Sequence, residues 1–120
     1  MCEQALRIFK DTLGQHPDTA FSMTNMGTSY RKKGQDEKAI ELYEQALGIY
    51  VRTKSRMHRS AAFAILNMSI SYGYLDDFVK AEELGVEALR IYEETLGHDH
   101  ELTKMARDGL ARTRKKMGKH

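Results

Sequence analysis

The feature that most constrains this chain is that it repeats itself. Slid along its own length by 42 residues, Asn25 falls on Asn67, Met26 on Met68, Ser29 on Ser71 and Tyr30 on Tyr72. The register continues through Lys38/Lys80, Ala39/Ala81, Glu41/Glu83, Leu42/Leu84, Ala46/Ala88, Leu47/Leu89, Ile49/Ile91 and Tyr50/Tyr92. His16, His58 and His100 sit on the same period. Ala5-Leu6-Arg7-Ile8-Phe9 matches Ala46-Leu47-Gly48-Ile49-Tyr50 at a spacing of 41, with the missing residue lost near Gly14. A unit this short cannot bury its apolar face alone, so it must stack on copies of itself.

Each unit reads as two helices. Met23, Met26, Gly27 and Tyr30 fall at i, i+3, i+4 and i+7, one face of a helix, and Ile65, Met68, Ser69 and Tyr72 repeat the face. Lys33-Gly34-Gln35-Asp36 breaks the first helix, as Leu75-Asp76-Asp77 does in the second unit. Ala39, Tyr43, Ala46, Leu47 and Tyr50 form the apolar stripe of the partner helix. The small residues Ala39, Ala46, Ala81 and Ala88 allow the two helices of a unit to approach closely. The chain is expected to be one all-α domain, an α–α superhelix of about six antiparallel helices. Its parts are a half-repeat (3–13), a repeat (18–54), a second repeat (60–96) and a C-terminal capping helix (101–117).

Composition agrees. The 120 residues are 41% hydrophobic and 30% charged, and they contain a single proline, the residue that most damages helix interiors. No apolar run approaches the ~20 residues that would cross a bilayer, so no membrane insertion is expected. MCEQALRIFK is charged throughout and lacks a signal-peptide core, and Cys2 is the only cysteine, which excludes an intrachain disulfide. An intracellular, cytoplasmic setting is the expectation. Charge is uneven: residues 1–103 carry 12 Lys/Arg and 16 Asp/Glu, residues 104–120 carry 7 Lys/Arg and Asp108 alone.

The spacing of an apolar residue, Met26-Gly27, Tyr30, Ala39, Tyr43 and Ala46 resembles the tetratricopeptide (TPR) signature. The period alone would suit a HEAT or armadillo repeat, and the internal signature overrules it. The longer unit resembles the repeats of kinesin light chains and of nephrocystin-3-like proteins. Asn67-Met68-Ser69, Tyr72, Phe78, Ala81, Ala88-Leu89-Arg90-Ile91 and Leu96-Gly97-His98-Asp99-His100 carry that likeness, with Leu13-Gly14-Gln15-His16-Pro17-Asp18 as an earlier copy. The likeness implies a scaffold that binds other proteins, and it is specific for the fold far more than for the partner.

Several positions depart from the pattern. Gly85 stands where a bulky residue is usual, which predicts a thin spot in the second unit. Thr53-Lys54-Ser55-Arg56-Met57-His58 has lost the Leu-Gly-x-Asp sequence and become basic. In the final helix Arg107 and Arg114 replace Met23/Ile65 and Tyr30/Tyr72, which predicts a polar cap closing the array. The apolar face of Ala5, Leu6 and Phe9 lacks its usual first helix. Either a longer solenoid continues there, or Leu6 and Phe9 pair with a second copy.

By the same resemblance, the first helix of each unit lines a concave groove. The groove positions are then Phe21, Thr24, Asn25, Thr28, Arg31 and Lys32 in unit one, and Phe63, Leu66, Asn67, Ile70, Gly73 and Tyr74 in unit two. The last helix adds Met105, Asp108, Arg112, Lys115 and Lys116. An asparagine can donate to and accept from a peptide backbone, so Asn25 and Asn67 are the leading candidates to hold an extended ligand, with interhelix hydrogen bonding as their alternative role. Arg31, Arg112 and Lys115 would favour an acidic ligand or a carboxylate terminus.

Other chemistries have little support in the residues. His98-Asp99-His100 clusters ligand types, but its place in an inter-repeat loop favours helix capping over metal binding. No nucleophile–base set or glycine-rich phosphate loop is present, so no cofactor and no catalysis are expected. The basic run Arg112-Thr113-Arg114-Lys115-Lys116-Met117-Gly118-Lys119-His120 could grip nucleic acid, but it has no interleaved aromatics for base stacking. Its cations also suit the end of a helix.

Overall fold

The computed structural model describes residues 17–54 and 57–118. Within them lie five helices: α1 (Pro17–Lys32), α2 (Asp36–Thr53), α3 (Arg59–Tyr74), α4 (Phe78–Thr95) and α5 (Glu101–Lys116). Each packs against the next in sequence, giving the all-α solenoid that the 42-residue period requires. The helix expected over residues 3–13, which holds Leu6 and Phe9, lies outside the described residues, as does Cys2.

Local chemistry sets the helix ends. After α1, Gly34 takes φ +81°, its N–H donates to Arg31 O at 2.9 Å and the Gln35 N–H donates to Tyr30 O at 2.9 Å. That pair of bonds is the Schellman stop, which needs a left-handed residue and favours glycine. The second unit makes the same stop with Asp76 at φ 62°. There the Asp76 N–H reaches Gly73 O at 3.1 Å and the Asp77 N–H reaches Tyr72 O at 2.9 Å. Asp77 then starts α4, its carboxylate accepting from the Lys80 N–H at 3.2 Å. His58 and His100 begin α3 and α5 in the same way, each Nδ1 accepting the N–H two residues on, at 3.0 and 3.1 Å.

The core consists of two clusters of buried residues, with the half-buried Leu47 packed against both. Tyr43, Tyr92, Met23, Ile65 and Ile91 are its largest fully buried side chains. In unit one a tyrosine knob enters a glycine hole: a Cβ on Gly27 would stand 2.8 Å from Tyr43 Cε1. The Tyr43 hydroxyl lies 3.0 Å from Thr28 Oγ1. Tyr50, also buried in this unit, has Thr24 beside its hydroxyl.

Unit two swaps this arrangement. Ser69 stands in place of Gly27 and donates to Ala81 O at 2.7 Å, and Gly85 stands in place of Tyr43. The thin spot foreseen at Gly85 is partly filled from outside the unit, because Leu110 of α5 comes to 3.3 Å from where a Cβ would be. Arg107 and Arg114 turn back onto α4. Arg114 Nε donates to Glu82 Oε2 at 3.0 Å, and Arg107 donates to His98 O at 3.2 Å with Glu93 3.9 Å away.

Candidate functional site

Among the first helices, α1 neighbours α3 and α3 neighbours α5, whereas α2 and α4 do not touch. Helices that meet on one side and part on the other curve the stack, so α1, α3 and α5 line its inner face. Cations gather at one edge of that face, because Arg31 and Lys32 end α1, while Arg114, Lys115 and Lys116 end α5. Each group sits at a helix C-terminus, where positive charge is favourable.

The structure separates the sequence candidates into three groups. Asn25, Lys32, Arg112, Lys115 and Lys116 are exposed, as are Phe21, Met105, Asp108 and Tyr74, the last at 67%. Phe63, Ile70, Gly73, Thr28 and Arg31 are half-buried. Thr24 and Leu66 are buried at 0% and 3%, which corrects Thr24 as a groove position and leaves Leu66 lining the inner face only at the α3–α5 cleft described below. Thr24 is spent on Ala20 O at 2.9 Å, beside the Tyr50 hydroxyl, and Leu66 belongs to the core.

Asn67 is 5% exposed and bonded within the stack. Its amide donates to Phe63 O at 2.8 Å and its carbonyl accepts from Arg31 Nη2 at 3.4 Å. The Arg31–Asn67 contact thereby ties α1 to α3. Thr28 is similarly engaged, donating to Thr24 O at 3.1 Å beside the Tyr43 hydroxyl.

The junction between α3 and α5 is built differently. At the positions of Arg31 and Asn67 it has Gly73 and Gly109, one period further along. With Gly85 in place of Tyr43, three side chains that fill the first junction are missing from the second. The result is a cleft of about 250 Å³ among α3, α4 and α5, lined by all three glycines. Ile70, Tyr74, Arg112 and Lys116 were legible as groove residues and line it too. Sequence reasoning missed Phe78, Gly109 and Thr113, and the signal that would have found them is the set of glycines replacing large residues at the repeat period.

Burial, and then the charges of Lys54 and Arg59, lower the His58 pKa below the usual imidazole value. Burial raises the phenols of Tyr50 and Tyr92. His98 lies 3.3 Å from Glu93 and 3.5 Å from Arg107, and His100 is a helix cap. Among the described residues no three His, Cys, Asp or Glu side chains converge as a metal site would require. No described helix is long and apolar enough to cross a membrane.

The sequence matches the Tetratricopeptide repeat family over residues 1–50 and 60–120. A search of curated proteins finds no match. Among solved structures, the chain is similar to a Podosopora anserina protein of nearly identical TPR-like repeats, of the kinesin light chain kind. The two share 27% identity over 97% of this chain and 56% of that one, with a TM-score of 0.84. A single-substitution variant of the same Podosopora anserina protein gives 27% identity, 97% and 55% coverage and a TM-score of 0.85. BtubC (BKLC) from P. vanneervenii shares the fold at 22% identity and a TM-score of 0.82, over 96% of this chain and 46% of that one. The chain thus spans about half the length of the structures it resembles.

Proposed function

We propose, from the premise that this chain belongs to the tetratricopeptide repeat family, that it is a non-catalytic intracellular module holding a short extended peptide of a partner protein. Repeats of this family generally mediate protein–protein interaction and scaffolding. The observation that carries the finer reading is the inner face of α1, α3 and α5. It leaves Asn25, Lys32, Tyr74, Arg112 and Lys115 open to solvent along the curved side of the stack. Such a face offers hydrogen bonds, an aromatic surface and positive charge without a reacting constellation. A peptide with acidic character suits it best, because Lys32, Arg112 and Lys115 add charge with no described carboxylate set against them.

The test is fluorescence anisotropy with a pool of labelled hexapeptides, each carrying two glutamates at random positions. Binding should weaken as salt rises. Reversing the three exposed cations together (Lys32→Glu, Arg112→Glu, Lys115→Glu) should lower affinity at least tenfold, with the helical circular dichroism preserved. Equal affinity in the triple variant would overturn the assignment.

A further inference from the structure

The second helices of the two units, α2 and α4, differ on the side that faces solvent. On α4, Val79 and Val86 are 62% and 43% exposed, whereas one period earlier α2 carries Glu37 and Glu44. Seven residues make nearly two turns, so the valines stand on one line along α4, about 10 Å apart. Glu83 and Arg90 fall on the same line, at the alternating spacings of four and three that mark a helix–helix seam. Lys80 and Glu94 lie together on one flank of it. These four charged side chains are exposed, and among the described residues none of them is in an ion pair.

We propose that this face of α4 binds a second copy of the chain, the two α4 helices packing antiparallel about a two-fold axis beside Val86. Such an axis exchanges the two ends of the helix, so a face that binds itself must reverse its charges from one end to the other. The face of α4 does so. Counted outward from the level of Val86 and Glu87, Glu83 matches Arg90 and Lys80 matches Glu94, opposite in sign at equal distances. Each Glu83 then meets Arg90 of the second copy, each Lys80 meets Glu94, and the two Val86 side chains sit within about 1.5 Å of one level. Glu87, the other charge near the axis, is half-buried and already engaged within its own chain. A partner of a single sign would match half of these charges and oppose the rest, which favours a second copy over an acidic or basic protein. On α2 the row Glu37, Glu41 and Glu44 is all of one sign and would repel its own copy, so only the second unit offers the face. Because α4 lies outside the row of α1, α3 and α5, the inner face stays open in both copies. A contact of this size belongs with weak, transient interfaces, with a dissociation constant of about 10–100 μM.

The experiment is sedimentation equilibrium of the 120-residue chain from about 1 μM to about 1 mM, over which monomer should give way to dimer. Val79→Glu with Val86→Glu installs the residues of the first unit at exposed positions. This variant should remain monomeric with its helical circular dichroism unchanged. Glu83→Arg should weaken the dimer about tenfold, and adding Arg90→Glu to it should restore the parent affinity. The register is read by cross-linking in a Cys2→Ser background, where an introduced cysteine is the only one. Val86→Cys should oxidise to a disulfide-linked dimer. Val79→Cys should not, because its two copies would stand about 20 Å apart, beyond the reach of a disulfide. A chain that stays monomeric throughout overturns the proposal, as does failure of the charge exchange to restore affinity. A dimer that survives the two glutamates uses another face and overturns it too, and so does equal cross-linking at the two cysteines. The peptide-holding reading is tested separately by the acidic hexapeptides and stands or falls without this dimer.

Discussion

Tyr50 and Tyr92 are the same residue of two successive repeats, yet replacing each with phenylalanine should shift stability in opposite directions. Tyr92 is 0% exposed, and its hydroxyl finds no partner among the described residues. The reason lies one period away. The Tyr50 hydroxyl meets Thr24, and the position equivalent to Thr24 in the second unit is Leu66. A buried hydroxyl without a partner costs about 1–3 kcal/mol, so Tyr92→Phe removes a penalty and should stabilise the chain by about 1 kcal/mol. Tyr50→Phe removes a hydroxyl that has Thr24 beside it and should cost about 0.5–1.5 kcal/mol. The two variants should then differ by about 2 kcal/mol, which for a chain of this size separates their melting temperatures by about 8 °C. Urea denaturation followed by far-ultraviolet circular dichroism reads the difference directly. Burial also raises the Tyr92 phenol above its ordinary value, so alkaline titration of tyrosine absorbance should lose a late-ionising component in Tyr92→Phe. If Tyr92→Phe destabilises as much as Tyr50→Phe, the hydroxyl is satisfied in solution and the argument from the missing threonine fails.

Two further outcomes follow from the same packing. Gly27→Ala places a methyl 2.8 Å from Tyr43 Cε1 and 3.1 Å from two more ring carbons. Overpacking of about 1–3 kcal/mol should outweigh the ~1 kcal/mol helix-propensity gain, so chemical denaturation should show a net loss, whereas Gly73→Ala should show a gain. His58 caps α3 through Nδ1, and its pKa in the fold lies below the unfolded value of about 6.5. Its contribution is therefore present above that pH and lost as pH falls through and below it. His58→Asn keeps a capping acceptor that does not titrate there. The advantage of the variant over the parent should grow from pH 7 to pH 5 by about one cap, ~0.5–1 kcal/mol. A constant difference would refute the cap's role in acid sensitivity.

The architecture was legible because a repeat announces itself. Matches at 42 residues, the Gly34 stop and the alternation of two apolar stripes leave few folds open, and stacked helical pairs satisfy all of them. Side-chain exposure was harder to read. Reading one face of an isolated helix puts Thr24 and Leu66 in the groove, but α3 packs on α2, on α4 and along α1 and α5 at once. Nine of its sixteen residues are buried, so the open stripe is much narrower than helical periodicity suggests. Asn67 shows the same effect, its amide drawn into a junction that exists only once two units are stacked.

The cleft was least legible, because a search for repeats rewards what the units share and the cleft comes from what they do not. Unit one carries a polar set, with Tyr43 on Thr28 and Tyr50 on Thr24. In unit two, three of these four positions have changed together, to Gly85, Ile70 and Leu66. Unit two has aliphatic side chains where unit one has the two threonines, and it lacks the tyrosine that meets Thr28. The space left by the ring is shared between Leu110 and the cleft. Tyr92 is the one member retained, which is why its hydroxyl is stranded. A single set of exchanges thus accounts for both the orphaned phenol and the apolar walls beside Arg112 and Lys116. If so, Leu66→Thr should give the Tyr92 hydroxyl a partner, and Tyr92→Phe should then cease to stabilise the chain in the Leu66→Thr background.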